Sequence, residues 1–267
     1  EWMADPAIQQ DVKNYAAMVS MVDRNLGEVL DLVRELDLEK DTIVFFTGDN
    51  GGQDRFASKE HPRGFFFPNV NPVTGVEFRG GKGNLYEGGL RIPYLVRWPG
   101  KIAPGQMSDL IFYQPDVLPT LAELTGAKAP DDVDGLSILP TLLGADATGQ
   151  EQEEREMLYW EFGQQTAVRM GMWKAIQPRT DAPWDLYDLS TDVSETTSVA
   201  DAHPDILEKM KAFAAAEHAP VEAGTYLDPD RTRHEADRQA KWGSTRAETD
   251  TNGRKPNRIK AEGLLPF

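Results

Sequence analysis

The sequence predicts an α/β fold: a mostly parallel sheet domain, followed by a small antiparallel sheet with one packed helix. Three observations carry that expectation. An amphipathic stretch from Asp11 to Leu36 leads into a short apolar run, Thr42 to Thr47, that ends at Gly48. A second apolar run, Ile92 to Trp98, is stopped by Pro99 and Gly100. Four short strand-like runs then follow between Met157 and Leu189, spaced by turn residues.

The first stretch reads as a helix. Tyr15, Met18, Val19, Val22, Leu26, Val29, Leu30 and Val33 recur three and four apart, and charged residues fill the other face. The run Thr42–Thr47 is rich in β-branched and aromatic residues, as in a strand buried on both faces of a parallel sheet. Residues 51–90 are rich in Gly, Pro and Asn and lack periodicity, and a loop of that length inside a domain points to function. The stretch "DVLPTLAELTG" predicts a short helix ended by Gly126. Beyond it, "MLYWEF", "TAVRM", "MWKAIQ" and "WDLYDL" predict an antiparallel sheet whose Trp160, Trp173, Trp184 and Tyr187 pack a core. A helix from Pro204 to Ala216 follows, with His203 and His218 flanking it at the surface.

An acidic polar stretch at Gly149–Glu154 marks a boundary. The expected parts are therefore 1–150, an α/β domain; 151–218, a small antiparallel subdomain; and 219–267, a polar extension. The 267 residues suffice for one large core and a satellite. A net charge of −16 argues against nucleic acid as a partner. The absence of cysteine excludes disulfides, Cys metal ligands and a Cys nucleophile within these residues. No apolar run is long enough to span a membrane. The first residue is Glu1, so a longer precursor is expected.

Two stretches can carry chemistry. "DTIVFFTGDNGGQ" delivers Asp49 and Asn50 side by side at a strand end, between glycines. Ligands of open α/β sheets sit beyond such ends. A carboxylate beside a carboxamide offers hard oxygen donors suited to Ca²⁺ or Mg²⁺; a plain strand-to-loop turn uses the same residue types. "FRGGKGNLYEGGLR" surrounds Lys82 with five glycines. A lysine so placed can direct its ammonium at an anionic oxygen, although the P-loop spacing is absent and a solvated surface lysine is the simpler reading. His61 lies between the two stretches, where a substrate contact or a surface position are both open. Arg79 is open to an anionic substrate or to anchoring the loop on a carboxylate, and Phe65 to Phe67 to a lid or sugar-stacking platform or to burial.

Taken together and in this order, the phrases resemble the sulfatase family, the arylsulfatase type of the alkaline-phosphatase-like superfamily. The helix "YAAMVSMVDRNLGEVL", the strand end "TGDNGG", the block "FRGGKGNLYEGGLRIPYLVRWPGKIAPG", and the phrases "QPDVLPTLAELTG" and "WDLYDLSTDVSETTSV" each look like family segments. The resemblance covers Asp11 to Ala216 and fits the C-terminal half of such a protein. It implies that Asp49 and Asn50 are ligands of an active-site Ca²⁺ (or Mg²⁺), and that Lys82 binds the sulfate group and stabilises charge on the leaving oxygen. The family nucleophile, a formylglycine made from Cys or Ser in a C/S-x-P-x-R motif, has no match in these residues. It is expected in the N-terminal half, from the same precursor or a separate chain, without which this chain would be inert.

The expected substrate is a sulfated small molecule or carbohydrate. Export to the periplasm or outside follows if the full protein carries a signal peptide, and the polar tail could reach a neighbour in a homo-oligomer. Two rivals stand beside this reading. One is a phosphoester or phosphonate hydrolase of the same superfamily, distinguished by the missing nucleophile segment. The other is a non-catalytic binding or scaffold half-domain, for which Asp49→Ala would change neither metal affinity nor activity.

Overall fold

A computed structural model describes residues 10–56, 65, 66, 68–71 and 74–218. In chain order the elements begin with α1 (Gln10–Glu35), β1 (Val44–Thr47), β2 (Arg55–Phe56), β3 (Phe65–Phe66), β4 (Asn69–Val70), β5 (Glu77–Phe78), α2 (Glu87–Leu90) and β6 (Tyr94–Arg97). They continue with α3 (Val117–Thr125), α4 (Leu139–Leu143), α5 (Ala145–Thr148), β7 (Leu158–Phe162), β8 (Gln165–Met170), β9 (Trp173–Gln177), β10 (Asp185–Asp188) and α6 (Pro204–Glu217). The chain divides into two compact units: residues 1–69 with 90–156, and residues 70–89 with 157–267. The composition change near Gly149–Glu154 thus precedes the break after Glu156, and the glycine-rich segment groups with the second unit rather than with 1–150. The polar extension 219–267 lies outside the described residues.

In the first unit, α1 follows its expected apolar period, but that stripe is open. Met18, Val19, Val22 and Val29 are each more than half exposed. Among the described residues, no helix is long and apolar enough to cross a membrane. The two runs expected in a parallel sheet pair with each other, and they do so antiparallel, with Val44 opposite Arg97 and Thr47 opposite Tyr94. The direction of this one pair departs from the parallel expectation for a physical reason. Apolar, β-branched and aromatic residues report burial, not strand direction, and both strands are only half-buried, with Leu95 largely exposed.

A buried carboxylate organises the helical part of this unit. Asp116 is 1% exposed. It accepts the backbone N–H groups of Tyr113 (3.0 Å) and Leu136 (2.8 Å) and pairs with the Arg155 guanidinium, which stacks over Tyr113. From Asp116 the chain enters α3, which stops where Gly126 turns left-handed at φ +70°.

In the second unit, β10-β9-β8-β7 form the antiparallel sheet expected from the sequence. Val168, Ala175 and Leu186 on its inner face pack against Met210 and Ala214 of α6, with Trp173 and Trp184 at the edge of that core. Tyr187 is buried as well. The flanking histidines depart from a surface placement. His203 packs at a tilt against Trp173 (4.9 Å between ring centres), and His218 is nearly buried, 2.9 Å from Glu161.

Candidate active-site segments

The first segment is the turn after β1. Its backbone is pinned at both ends. At one end the Gln114 carboxamide donates to Gly48 O (3.1 Å), and the Thr47 hydroxyl donates to the same oxygen (3.1 Å). At the other, the Asn69 carboxamide donates to Gly52 O (3.0 Å). A Cβ on Gly52 would fall 2.2 Å from Asn69 Oδ1, so a side chain there would displace the Asn69 carboxamide. Gly51 is buried, whereas Asp49 and Asn50 point outward and are exposed.

Among the described residues, neither side chain of that pair makes a hydrogen bond or ion pair. A fixed backbone therefore presents two hard oxygen donors that nothing inside the unit uses. Among the described residues, no group of three or more His, Cys, Asp or Glu is assembled to hold a metal ion. The pair is a partial donor set, of the oxygen type that Ca²⁺ or Mg²⁺ takes and softer metals do not favour.

The second segment is the glycine-rich loop of the second unit. Its base is locked. The Arg79 guanidinium donates to the Tyr187 hydroxyl (2.9 Å) and to Glu195 O (2.8 Å), and it lies over the Tyr86 ring. Arg79 therefore anchors the loop, on a phenol and a backbone carbonyl rather than on the carboxylate expected from the sequence. The Glu195 carboxylate accepts the Glu87 N–H (2.7 Å), and Gly88 N–H closes the loop onto Arg79 O (2.9 Å).

Below the loop sits a buried charge cluster. Lys174, fully buried on β9, donates to Glu87 (2.8 Å) and lies 2.7 Å from Glu195 Oε1, a charge contact outside hydrogen-bond geometry. Arg169 adds a positive charge 3.5 Å from Glu87. Burial raises the Glu195 carboxyl above its ordinary range, against the pull of Lys174. Two carboxylates facing two cations keep the cluster near neutral, as interior charges require.

Lys82 stands at the tip of this loop, exposed, with no hydrogen-bond or ion-pair partner among the described residues. The loop thus holds a free ammonium on a braced backbone. His61 and Phe67 lie outside the described residues, and of Phe65 and Phe66 only the backbone pairing with β2 is described. Sequence reasoning missed the Lys174–Glu195–Glu87 cluster. Its one readable signal was a lysine inside the apolar strand "MWKAIQ", where a charge must be paired if the strand is buried.

Comparison with known proteins matches these segments to described families. A family model described as Sulfatase matches residues 3–127, and one described as N-sulphoglucosamine sulphohydrolase, C-terminal, matches residues 81–216, half of the chain. An N-acetylgalactosamine-6-O-sulfatase of Bacteroides thetaiotaomicron is 34% identical over 212 residues, 72% of this chain and 39% of the relative. The steryl-sulfatase of Mus musculus is 41% identical over 141 residues, 52% of this chain and 21% of the relative.

Among solved structures, one described under the metabolism of multiple glycosaminoglycans by Bacteroides thetaiotaomicron superposes with a TM-score of 0.56 at 29% identity. It covers 73% of this chain and 42% of that one. Another, in complex with its substrate D-glucosamine-2-N,6-O-disulfate, shares the fold with a TM-score of 0.61 at 23% identity, over 78% of this chain and 40% of that one. The chain spans less than half the length of the curated relatives it matches.

Proposed function

The chain belongs to the sulfatase family, and from that premise we propose that the full protein hydrolyses a sulfate ester, with Asp49, Asn50 and Lys82 as this chain's contribution to the active site. The observation that carries the reading is the presentation of these side chains. Three polar groups without partners among the described residues stand on backbone that other residues hold in place.

Asp49 and Asn50 would hold Ca²⁺ or Mg²⁺, completing its shell with oxygen donors from sequence outside this chain, since two donors fall short of the six or more such ions take. When bound, the ion neutralises charge on the sulfate oxygens. The Lys82 ammonium binds the sulfate group as a compact positive charge and stabilises the charge that develops on the departing ester oxygen. The braced loop serves that task because electrostatic stabilisation works best when the donor needs no reorganisation. His61 is proposed as a further substrate contact. The nucleophile is a formylglycine supplied by sequence outside this chain.

The substrate class proposed is a sulfated carbohydrate. Support comes from the N-acetylgalactosamine-6-O-sulfatase relative and from the fold shared with the glucosamine disulfate complex. The test is hydrolysis of sulfated amino sugars by the full-length protein beside its Lys82→Ala variant. The variant is expected to lose about a hundredfold or more in kcat/KM. Unchanged hydrolysis by Lys82→Ala would remove the assignment.

A further inference from the structure

Resting on the reading of Lys82 as the sulfate-binding group, we propose that Gln165 is a positioning residue that fixes the peptide carrying Lys82. The need for such a residue follows from the loop's own composition. Gly81 and Gly83 flank Lys82, and Gly80 and Gly83 sit at φ +73° and +98°. Glycines give this backbone more freedom than any other residue type, while an ammonium that stabilises a developing charge must be placed within fractions of an ångström. The anchors at Arg79, Glu87 and Gly88 act at the base of the loop. At the tip, Asn84 N–H donates to Gly81 O (3.2 Å) and Tyr86 N–H to Asn84 Oδ1 (3.2 Å), but these bonds lie within the loop and cannot tie it to anything else.

Gln165 supplies an external tie. Its Nε2 donates to Gly83 O (3.2 Å), next to Lys82, and its Oε1 accepts the Leu85 N–H (3.1 Å). A carboxamide carries a donor and an acceptor side by side, which lets one side chain grip a C=O and an N–H two residues apart. The mount is firm. Gln165 opens β8, pairs with Phe162 of β7 at the hairpin, and belongs to a strand bonded on both sides. Leu85, the residue gripped, is itself buried. Gln165 touches no reacting atom in this account; it acts through Lys82.

The test is a double-mutant cycle in the full-length protein on a chromogenic aryl sulfate, with backbone amide exchange as a readout independent of activity. Gln165→Ala is expected to lower kcat/KM about tenfold when Lys82 is present, and by less than about twofold in the Lys82→Ala background. Leu85 amide exchange should speed up, while that of Val168 and Ile176 stays as in the parent and reports an intact sheet. Gln165→Asn, which keeps the amide but not the reach, should give the same pattern. An equal loss in both backgrounds, no loss in either, or unchanged Leu85 exchange overturns the positioning role and leaves the reading of Lys82 standing. If Lys82→Ala itself costs nothing, that reading falls and the role of Gln165 falls with it.

Discussion

Lys174 Nζ lies 2.7 Å from Glu195 Oε1, and both side chains are fully buried. The contact ties β9 to a residue that holds an uncommon backbone conformation, φ +54° at Glu195. That geometry costs a residue with a side chain about 1–2 kcal/mol. It is retained where one residue can serve three partners: Arg79 through its carbonyl, and Glu87 and Lys174 through its carboxylate.

Removing one partner should therefore cost more than an exposed pair would. Lys174→Met is expected to destabilise the protein by about 3–5 kcal/mol, because it removes the buried cation that faces both the Glu87 and the Glu195 carboxylates. The double variant Lys174→Met with Glu195→Gln should recover part of that loss. Chemical denaturation of the parent and both variants checks this; equal stabilities of the two variants would show that the charges do not couple.

The glycines of "YEGG" are packing residues. A Cβ on Gly88 would lie 2.0 Å from Gly80 O, and one on Gly89 2.1 Å from Asn84 O, both backbone atoms with little room to yield. Gly88→Ala should destabilise by about 1–3 kcal/mol or more. Gly27 in α1 is the contrast, since nothing lies within 4 Å of an added Cβ there. Gly27→Ala should stabilise by about 0.5–1 kcal/mol. Thermal unfolding of the two variants reads opposite signs if this packing is real.

Tyr187 predicts an alkaline limit. Burial, then the nearby Asp185 charge, push its phenol up from the ordinary 10 to about 12. A raised folded pKa means the contribution is whole below pH 10 and is lost as pH climbs from 10 through 12. Stability should fall across that window, and Tyr187→Phe should flatten the fall while losing the bond from Arg79. Denaturation midpoints measured against pH decide it; a Phe variant with the same alkaline slope as the parent would assign the effect elsewhere.

The residues themselves show which features the sequence made readable. The helices α1, α3 and α6 lie within a residue or two of their expected spans, because apolar period and a left-handed Gly126 are local signals. Strand direction is not local, so β1 and β6 were legible as strands but not as an antiparallel pair. Asp49, Asn50 and Lys82 were legible as candidates because a strand-like run ending in paired oxygen donors and a lysine among glycines stand in an order that resembles family segments; their roles are a proposal. Gln165 was not. Its partners are backbone atoms 80 and 82 residues away, and no residue type advertises that. Glu195 was hidden for a similar reason, since its role rests on a backbone angle and on partners at 79 and 87.

The most direct measurement is the dependence of sulfate-ester hydrolysis on a divalent cation in the full-length protein, compared between the parent and Asp49→Ala. Chelation should abolish hydrolysis by the parent and added Ca²⁺ or Mg²⁺ should restore it, while Asp49→Ala should need about tenfold or more cation for any recovery. Hydrolysis that survives chelation, or an Asp49→Ala protein that responds to the cation as the parent does, would contradict the account.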